Sequence, residues 1–199
     1  MAVAESLLAA NFNHPGHEIM DHFVYAIVTD GDLMEGVASE AASFAGHQKL
    51  GKLVYLYDDN HITIDGSTDL AFTEDRGKRC EAYGWHVQKV DDGNDVEKID
   101  HAIQLAKNDP RPSIIICRTH IGYGLPTRQD TSKAHGEPPG IEELNAAKEN
   151  AKWPLEPTFY VPEDVLTHFR RAIAHGEELQ NEWEARLKKY NSQFPDLGV

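Results

Sequence analysis

Asp30 and Asn60 each close a short apolar run. Asp30, within Asp30-Gly31-Asp32, follows residues 23–28, and Asn60 follows residues 53–57. A carboxylate and a carboxamide oxygen are donors that a hard divalent cation takes, and Mg2+ held this way keeps positions for phosphate oxygens and water. Asn60 supplies an oxygen without adding charge, and a backbone carbonyl in the following loop can supply a third. Gly31, lacking Cβ, lets backbone approach a phosphate closely. Taken singly, each residue also fits a plainer role: Asp30 as a helix cap or turn residue, Asn60 as a turn former. A calcium-loop reading fails, because the sixth residue from Asp30 is Glu35 rather than Gly and the twelfth is Ala41 rather than Glu. Asp58 and Asp59 read as loop-solvating or supporting groups.

The elements that must position these residues follow from periodicity. Residues 23–28 (Phe-Val-Tyr-Ala-Ile-Val) and 53–57 (Leu-Val-Tyr-Leu-Tyr) predict buried strands. Residues 34–47, small and Ala-rich, predict a helix between them, whose N-terminal dipole would start near Met34. Beyond the Asn60 loop the pattern predicts a helix over 73–83 capped by Thr73, a strand over 85–90, a helix over 95–108 and a buried strand over 113–117. Strands alternating with helices predict an α/β fold: a doubly wound, mostly parallel sheet with helices on both faces. Ligands in such sheets bind at the carboxyl ends of the strands, where Asp30 and Asn60 stand. Residues 119–140 hold four glycines, three prolines and no apolar period, a long loop of the kind that carries function. Residues 2–11 read as the end of a helix, and a polar loop fills 11–22. From Pro162, suited to a first helical position, the chain reads as helical with a possible interruption at Gly176.

The 199 residues carry 33 acidic and 19 basic side chains, a formal net charge of −14. That balance argues against nucleic acid or an anionic membrane as partner, but not against a small phosphorylated ligand. Cys80 and Cys117, far apart and outside any CxxC, suit a reducing compartment, hence a cytoplasmic location. No apolar stretch approaches membrane-spanning length, and residues 1–10 do not read as a signal peptide.

The run TDGDLMEGVASEAASFAGHQKLGKLVYLYDDNHITIDG closely resembles the thiamine-diphosphate signature of transketolases, which begins Asp-Gly and closes at Asn. AESLLAANFNHPGHEIMDH, EDRGKRCEAYGW, RTHIGYGLPTRQDTSKAHGEP and the tail from Pro162 are similar to flanking transketolase segments, so the resemblance covers nearly the whole chain. Thr29 departs from the general pattern, which has Gly there. Related enzymes such as 2-oxo acid dehydrogenases share the Asp-Gly…Asn logic but lack the Tyr-Asp-Asp-Asn-His-Ile and Ala-His-Gly runs.

The resemblance implies a thiamine diphosphate cofactor with Mg2+ (Ca2+ or Mn2+ as substitutes), the metal held by Asp30, Asn60 and the Ile62 carbonyl. Gly31 and His135 join Asp30 and Asn60 against the cofactor, and His135 also handles protons of the substrate. The implied reaction, part of the pentose phosphate pathway, moves a two-carbon ketol unit from a ketose phosphate to an aldose phosphate. Glu35 is implied near the interface of a homodimer, although its sequence position also suits a first-turn glutamate. Among the eleven histidines, His14, His17 and His22 read as loop or surface residues, His61 as a loop-shaping residue, and His120 as open to either role. The implied layout is residues 1–161 as part of a diphosphate-binding domain and 162–199 as a helical linker toward a pyrimidine-binding domain. The cofactor-activating glutamate belongs to that second domain, so the expectation is a transketolase fragment, inactive alone. The alternatives are a subunit of a split thiamine-diphosphate enzyme and a non-catalytic module that keeps only the diphosphate–metal loop.

Overall fold

The computed structural model describes residues 1–197, which fall into two compact units. Residues 23–155 form the first, and residues 3–22 with 156–197 form the second. The boundary expected from sequence lies between 161 and 162 and groups 1–22 with the sheet domain.

The elements in chain order are α1 (Ala2–Phe12), β1 (Val24–Thr29), α2 (Asp30–Met34), α3 (Gly36–His47), β2 (Leu53–Asp59), α4 (Arg76–Ala82), β3 (His86–Val90), α5 (Val96–Lys107), β4 (Ser113–Arg118), α6 (Ile141–Asn150) and α7 (Glu163–Gln193), with 3-10 turns at Thr68–Leu70 and Ser132–Ala134. The four strands form one parallel sheet in the order β1-β2-β4-β3. The α/β expectation therefore holds, and helices cover both faces. Leu53, Tyr57, Ile114 and Ile116 pack with Leu33 and Ala45 of α2–α3, Cys80 of α4, and Trp85. On the other face Val54, Ile115, Cys117 and Val90 pack with Ala102 and Ala106 of α5. Alternate residues of β2 and β4 thus feed opposite cores, which explains why both strands read as continuous apolar runs. Trp85 ties α3 to this core by donating its indole N–H to the Ala42 carbonyl at 2.8 Å.

Four local expectations are corrected. The helix expected over 34–47 is two helices broken at Glu35, whose ψ of 133° is extended. The earlier helix starts at Asp30, so the helix end beside the Asp-Gly turn belongs to five-residue α2. Asp75, not Thr73, caps α4, accepting from the Lys78 N–H at 3.0 Å. Pro162 is the cap of α7 rather than its first helical residue, and α7 runs through Gly176 without interruption over 31 residues. Helix α6, after Gly140 at φ +86°, had no counterpart in the sequence reading.

In the second unit Asn13 organises the loop after α1. Its Oδ1 accepts from the Ile19 and Met20 N–H groups, both at 2.9 Å. His14 stacks on Phe194 with ring centroids 4.2 Å apart, and Trp183 donates to the Ile19 carbonyl at 2.9 Å. Among the described residues no helix is long and apolar enough to cross a membrane.

Candidate functional site

β1 and β2 are parallel neighbours in register Thr29↔Asp58, so Asp30 and Asn60 emerge side by side at the carboxyl edge of the sheet. Thr29, the departure from the family pattern, caps α2. Its backbone N–H donates to Asp32 Oδ2 at 2.8 Å, and its hydroxyl completes a capping box.

Asp30 is 1 % exposed and Asn60 is 7 % exposed. Both side chains are anchored on consecutive backbone amides of one turn. Asp30 Oδ2 accepts from the His61 N–H at 3.2 Å, and Asn60 Oδ1 accepts from the Ile62 N–H at 2.9 Å. His61 stands at φ +64°, in the left-handed region, which aims its N–H back at Asp30. Ile62 faces Ser67 in a short bridge whose flanking bonds use the His61 carbonyl (from Thr68 N–H, 3.0 Å) and the Thr63 N–H (to Gly66 O, 2.7 Å). Among the described residues no backbone hydrogen bond ends on the Ile62 carbonyl.

A ring of side chains closes around Asp30; Asp59 and His61 act in it as the supporting and loop-shaping residues expected, whereas Tyr57 and Arg76 carry no such mark in the sequence. The Tyr57 hydroxyl donates to Asp30 Oδ1 in a short hydrogen bond and accepts from Arg76 Nε at 3.1 Å. Arg76 Nη2 donates to Asp59 Oδ1 at 2.8 Å, and Asp59 Oδ2 meets His61 Nε2 at 3.3 Å. The His61 N–H then leads back to Asp30. Burial pushes the Asp30 carboxyl above its ordinary value. The Tyr57 bond opposes this, nearby Asp59 adds to it, and Arg76 opposes it again. Burial and the Asp30 bond together push the Tyr57 phenol far up, so it remains a donor. The available signal was Tyr57 itself: a buried tyrosine on an inward-facing strand position needs a partner for its hydroxyl.

Asp58 points away from this ring. It binds the Thr119 hydroxyl in a short hydrogen bond and accepts from Asn60 Nδ2 at 3.3 Å. That contact fastens the base of the 119–140 loop, where Arg118 Nη1 also donates to the Asp59 carbonyl at 2.8 Å. Gly122 sits at φ +62°, and a Cβ there would lie 2.8 Å from Ala134 Cβ, so its absence lets the loop fold onto the turn that precedes His135. His135 is exposed, its N–H bonded to the Ser132 carbonyl at 2.9 Å, and among the described residues no hydrogen bond joins it to Asp30 or Asn60. His120, open to either role in sequence, pairs through Nδ1 with both Asp130 oxygens at 2.9 and 3.0 Å. Gly31 is exposed, and a Cβ there would meet only Thr29 Oγ1 at 3.8 Å, so packing within the chain does not demand glycine. Glu35 is exposed at the start of α3 and makes no side-chain capping bond.

A buried carboxylate and a buried amide oxygen thus stand at neighbouring strand ends, oxygen donors of the kind that a hard dication takes. The class defined by the fold is a parallel α/β domain, in which ligands generally bind at the carboxyl edge of the sheet. The chain belongs to the transketolase family: residues 1–199 match the model of the transketolase thiamine diphosphate binding domain. It is 48 % identical to the transketolase of Aquifex aeolicus over 197 residues, covering 99 % of this chain and 28 % of that protein. It is 50 % identical to transketolase 7 of Craterostigma plantagineum, covering 98 % of this chain and 29 % of that protein. A solved transketolase from Leishmania mexicana superposes with a TM-score of 0.95 at 42 % identity, covering 99 % of this chain and 30 % of that one. The chain thus spans under a third of the length of the relatives it matches.

Proposed function

We propose that this chain is the part of a transketolase that holds the diphosphate end of thiamine diphosphate through Mg2+, in an enzyme that moves a two-carbon ketol unit from a ketose phosphate to an aldose phosphate. The observation that supports the reading is the anchoring of Asp30 and Asn60, at the ends of neighbouring strands, on the consecutive His61 and Ile62 amides. Asp30, Asn60 and the Ile62 carbonyl hold the metal. Gly31 keeps the approach to the phosphates open. When bound, the cofactor supplies the carbon nucleophile that the two-carbon unit is passed through. His135 hydrogen-bonds the diphosphate and relays protons of the sugar hydroxyls at its imidazole, a group suited to proton transfer near neutral pH. Glu35 lies toward the second subunit of a homodimer, and the buried free thiols of Cys80 and Cys117 support a cytoplasmic setting.

The test is a calorimetric titration of the chain with thiamine diphosphate in the presence and absence of Mg2+. Binding is expected to require Mg2+ and to be lost in Asp30→Ala and Asn60→Ala variants that remain folded. Binding indifferent to both substitutions would refute the site. In an assay with a ketose phosphate and an aldose phosphate, the chain alone is expected to be inactive. Turnover above an Asp30→Ala control would show that it needs no second domain.

A further inference from the structure

We propose that Arg76 is a fixed internal cation that sets the metal affinity of the Asp30 site, with Asp59 as its counterweight. This rests on the reading of Asp30 as a metal ligand. Arg76 is the first residue of α4, directly after the acidic pair Glu74-Asp75, and no local pattern marks it as part of the site. Its Nη2 nevertheless lies 3.9 Å from Asp30 Oδ1.

The guanidinium has no freedom to leave. Nε donates to the Tyr57 hydroxyl at 3.1 Å, and Nη2 donates to Asp59 at 2.8 Å. Nη1 donates to the Glu74 carbonyl at 3.0 Å and reaches the Phe72 carbonyl at 3.4 Å. The guanidinium carbon lies 5.2 Å from the Phe72 ring centroid and 5.8 Å from that of Tyr57. Arginine suits this because its charge is permanent and its planar fork serves several acceptors at once.

The charges decide the sign. Of the three groups in this link, Asp30 and Asp59 contribute two negative charges and Arg76 one positive, so together they present a single negative charge to a dication at Asp30. Replacing Arg76 by a neutral side chain leaves two. Replacing Asp59 by a neutral one leaves none, with Arg76 still held by Tyr57 and the carbonyls. A unit charge several ångströms from a dication in a partly buried setting shifts its affinity by about ten- to a hundredfold. A purely structural Arg76 predicts the opposite for its own removal: a loosened Tyr57, a displaced Asp30 and weaker binding.

The experiment measures Mn2+ binding to the chain by the loss of the free-ion electron paramagnetic resonance signal, with circular dichroism confirming that each variant is folded. The expected order of affinity is Arg76→Met tightest, wild type and Arg76→Met/Asp59→Asn comparable, Asp59→Asn weakest, with at least about tenfold between the extremes. Asp59→Asn retains an oxygen that accepts from Arg76, so it keeps the test open if Arg76→Met unfolds. Arg76→Met binding no tighter than wild type, or Asp59→Asn binding no weaker, overturns the proposal. Asp30→Ala separates the two levels: if it leaves Mn2+ binding intact, the site reading falls and this proposal with it; if it abolishes binding, unmoved affinities in the other variants refute the role of Arg76 alone.

Discussion

The backbone N–H of His61 donates to Asp30 Oδ2 at 3.2 Å across a sequence separation of 31 residues. It does so because His61 is held at φ +64°, a conformation that any Cβ makes costly. The bond therefore depends on the backbone, while the imidazole adds only its contact with Asp59. His61→Gly is expected to be more stable than His61→Ala by about 1 kcal/mol in urea unfolding, because both lose the imidazole and only alanine keeps the left-handed cost. Equal stabilities would show that the turn adopts another conformation.

Tyr57 is fully buried and its hydroxyl stands between Asp30 and Arg76. Tyr57→Phe keeps the ring and deletes that link. It leaves a buried carboxylate oxygen and the Arg76 Nε short of a partner, a loss of about 1–3 kcal/mol. Chemical denaturation of the metal-free chain measures it. A loss below about 0.5 kcal/mol would mean that water or Arg76 takes over the hydroxyl's place.

The strands were legible because continuous apolar runs of β-formers have one economical use in an α/β chain, and Asp30 and Asn60 were legible because they end two of those runs. The Tyr57–Arg76 link was not. Its members are 19 residues apart and meet because α4 packs against β3 and β4 with its first residue reaching Tyr57, which no periodicity encodes. The break at Glu35 has no mark in composition, because Ala and Ser suit one helix as well as two and the first ends only in the extended backbone of Glu35. Gly176 misled in the opposite direction: one glycine costs a helix about 1 kcal/mol, which 31 residues absorb. The pairing of His120 with Asp130 depends on the Asp130 N–H reaching the Ile121 carbonyl at 3.0 Å, a loop closure without a repeating pattern to announce it.

Helix α3 offers a paired test of how closely it packs. At Gly46 an added Cβ would lie 1.8 Å from the Tyr83 carbonyl oxygen and 2.9 Å from its carbon, whereas at Gly36 nothing lies within 4 Å. Gly46→Ala forces two backbones apart and is expected to cost about 3 kcal/mol or more. Gly36→Ala, at the first position of the same helix, is expected to be neutral or to stabilise by a few tenths of a kcal/mol, roughly the propensity gain at a helix end. Thermal unfolding of the two variants decides the matter. A small loss at Gly46 would mean that α3 slides away from Tyr83 at little cost.

Asp109 provides a pH-dependent contribution away from the ring. The Arg111 side chain grips it twice, Nε to Oδ1 at 2.9 Å and Nη2 to Oδ2 at 2.8 Å, and holds its carboxyl down at about 2 against a smaller opposing effect of burial. The Arg111 N–H and nearby His86 act in the same direction. The ordinary value is 3.8, so the folded chain binds this proton less readily than the unfolded chain. The carboxylate therefore stabilises the fold above about pH 4, and the contribution is lost as pH falls from there through about 2. Arg111 is half-exposed, so solvent screening limits the gain to about 1–2 kcal/mol. Asp109→Asn is expected to be less stable than wild type at pH 5 by that amount, with the difference shrinking toward pH 2. Unfolding free energies at several pH values in that window measure it. A gap that stays constant would assign Asp109 a neutral hydrogen-bonding role and overturn the electrostatic account.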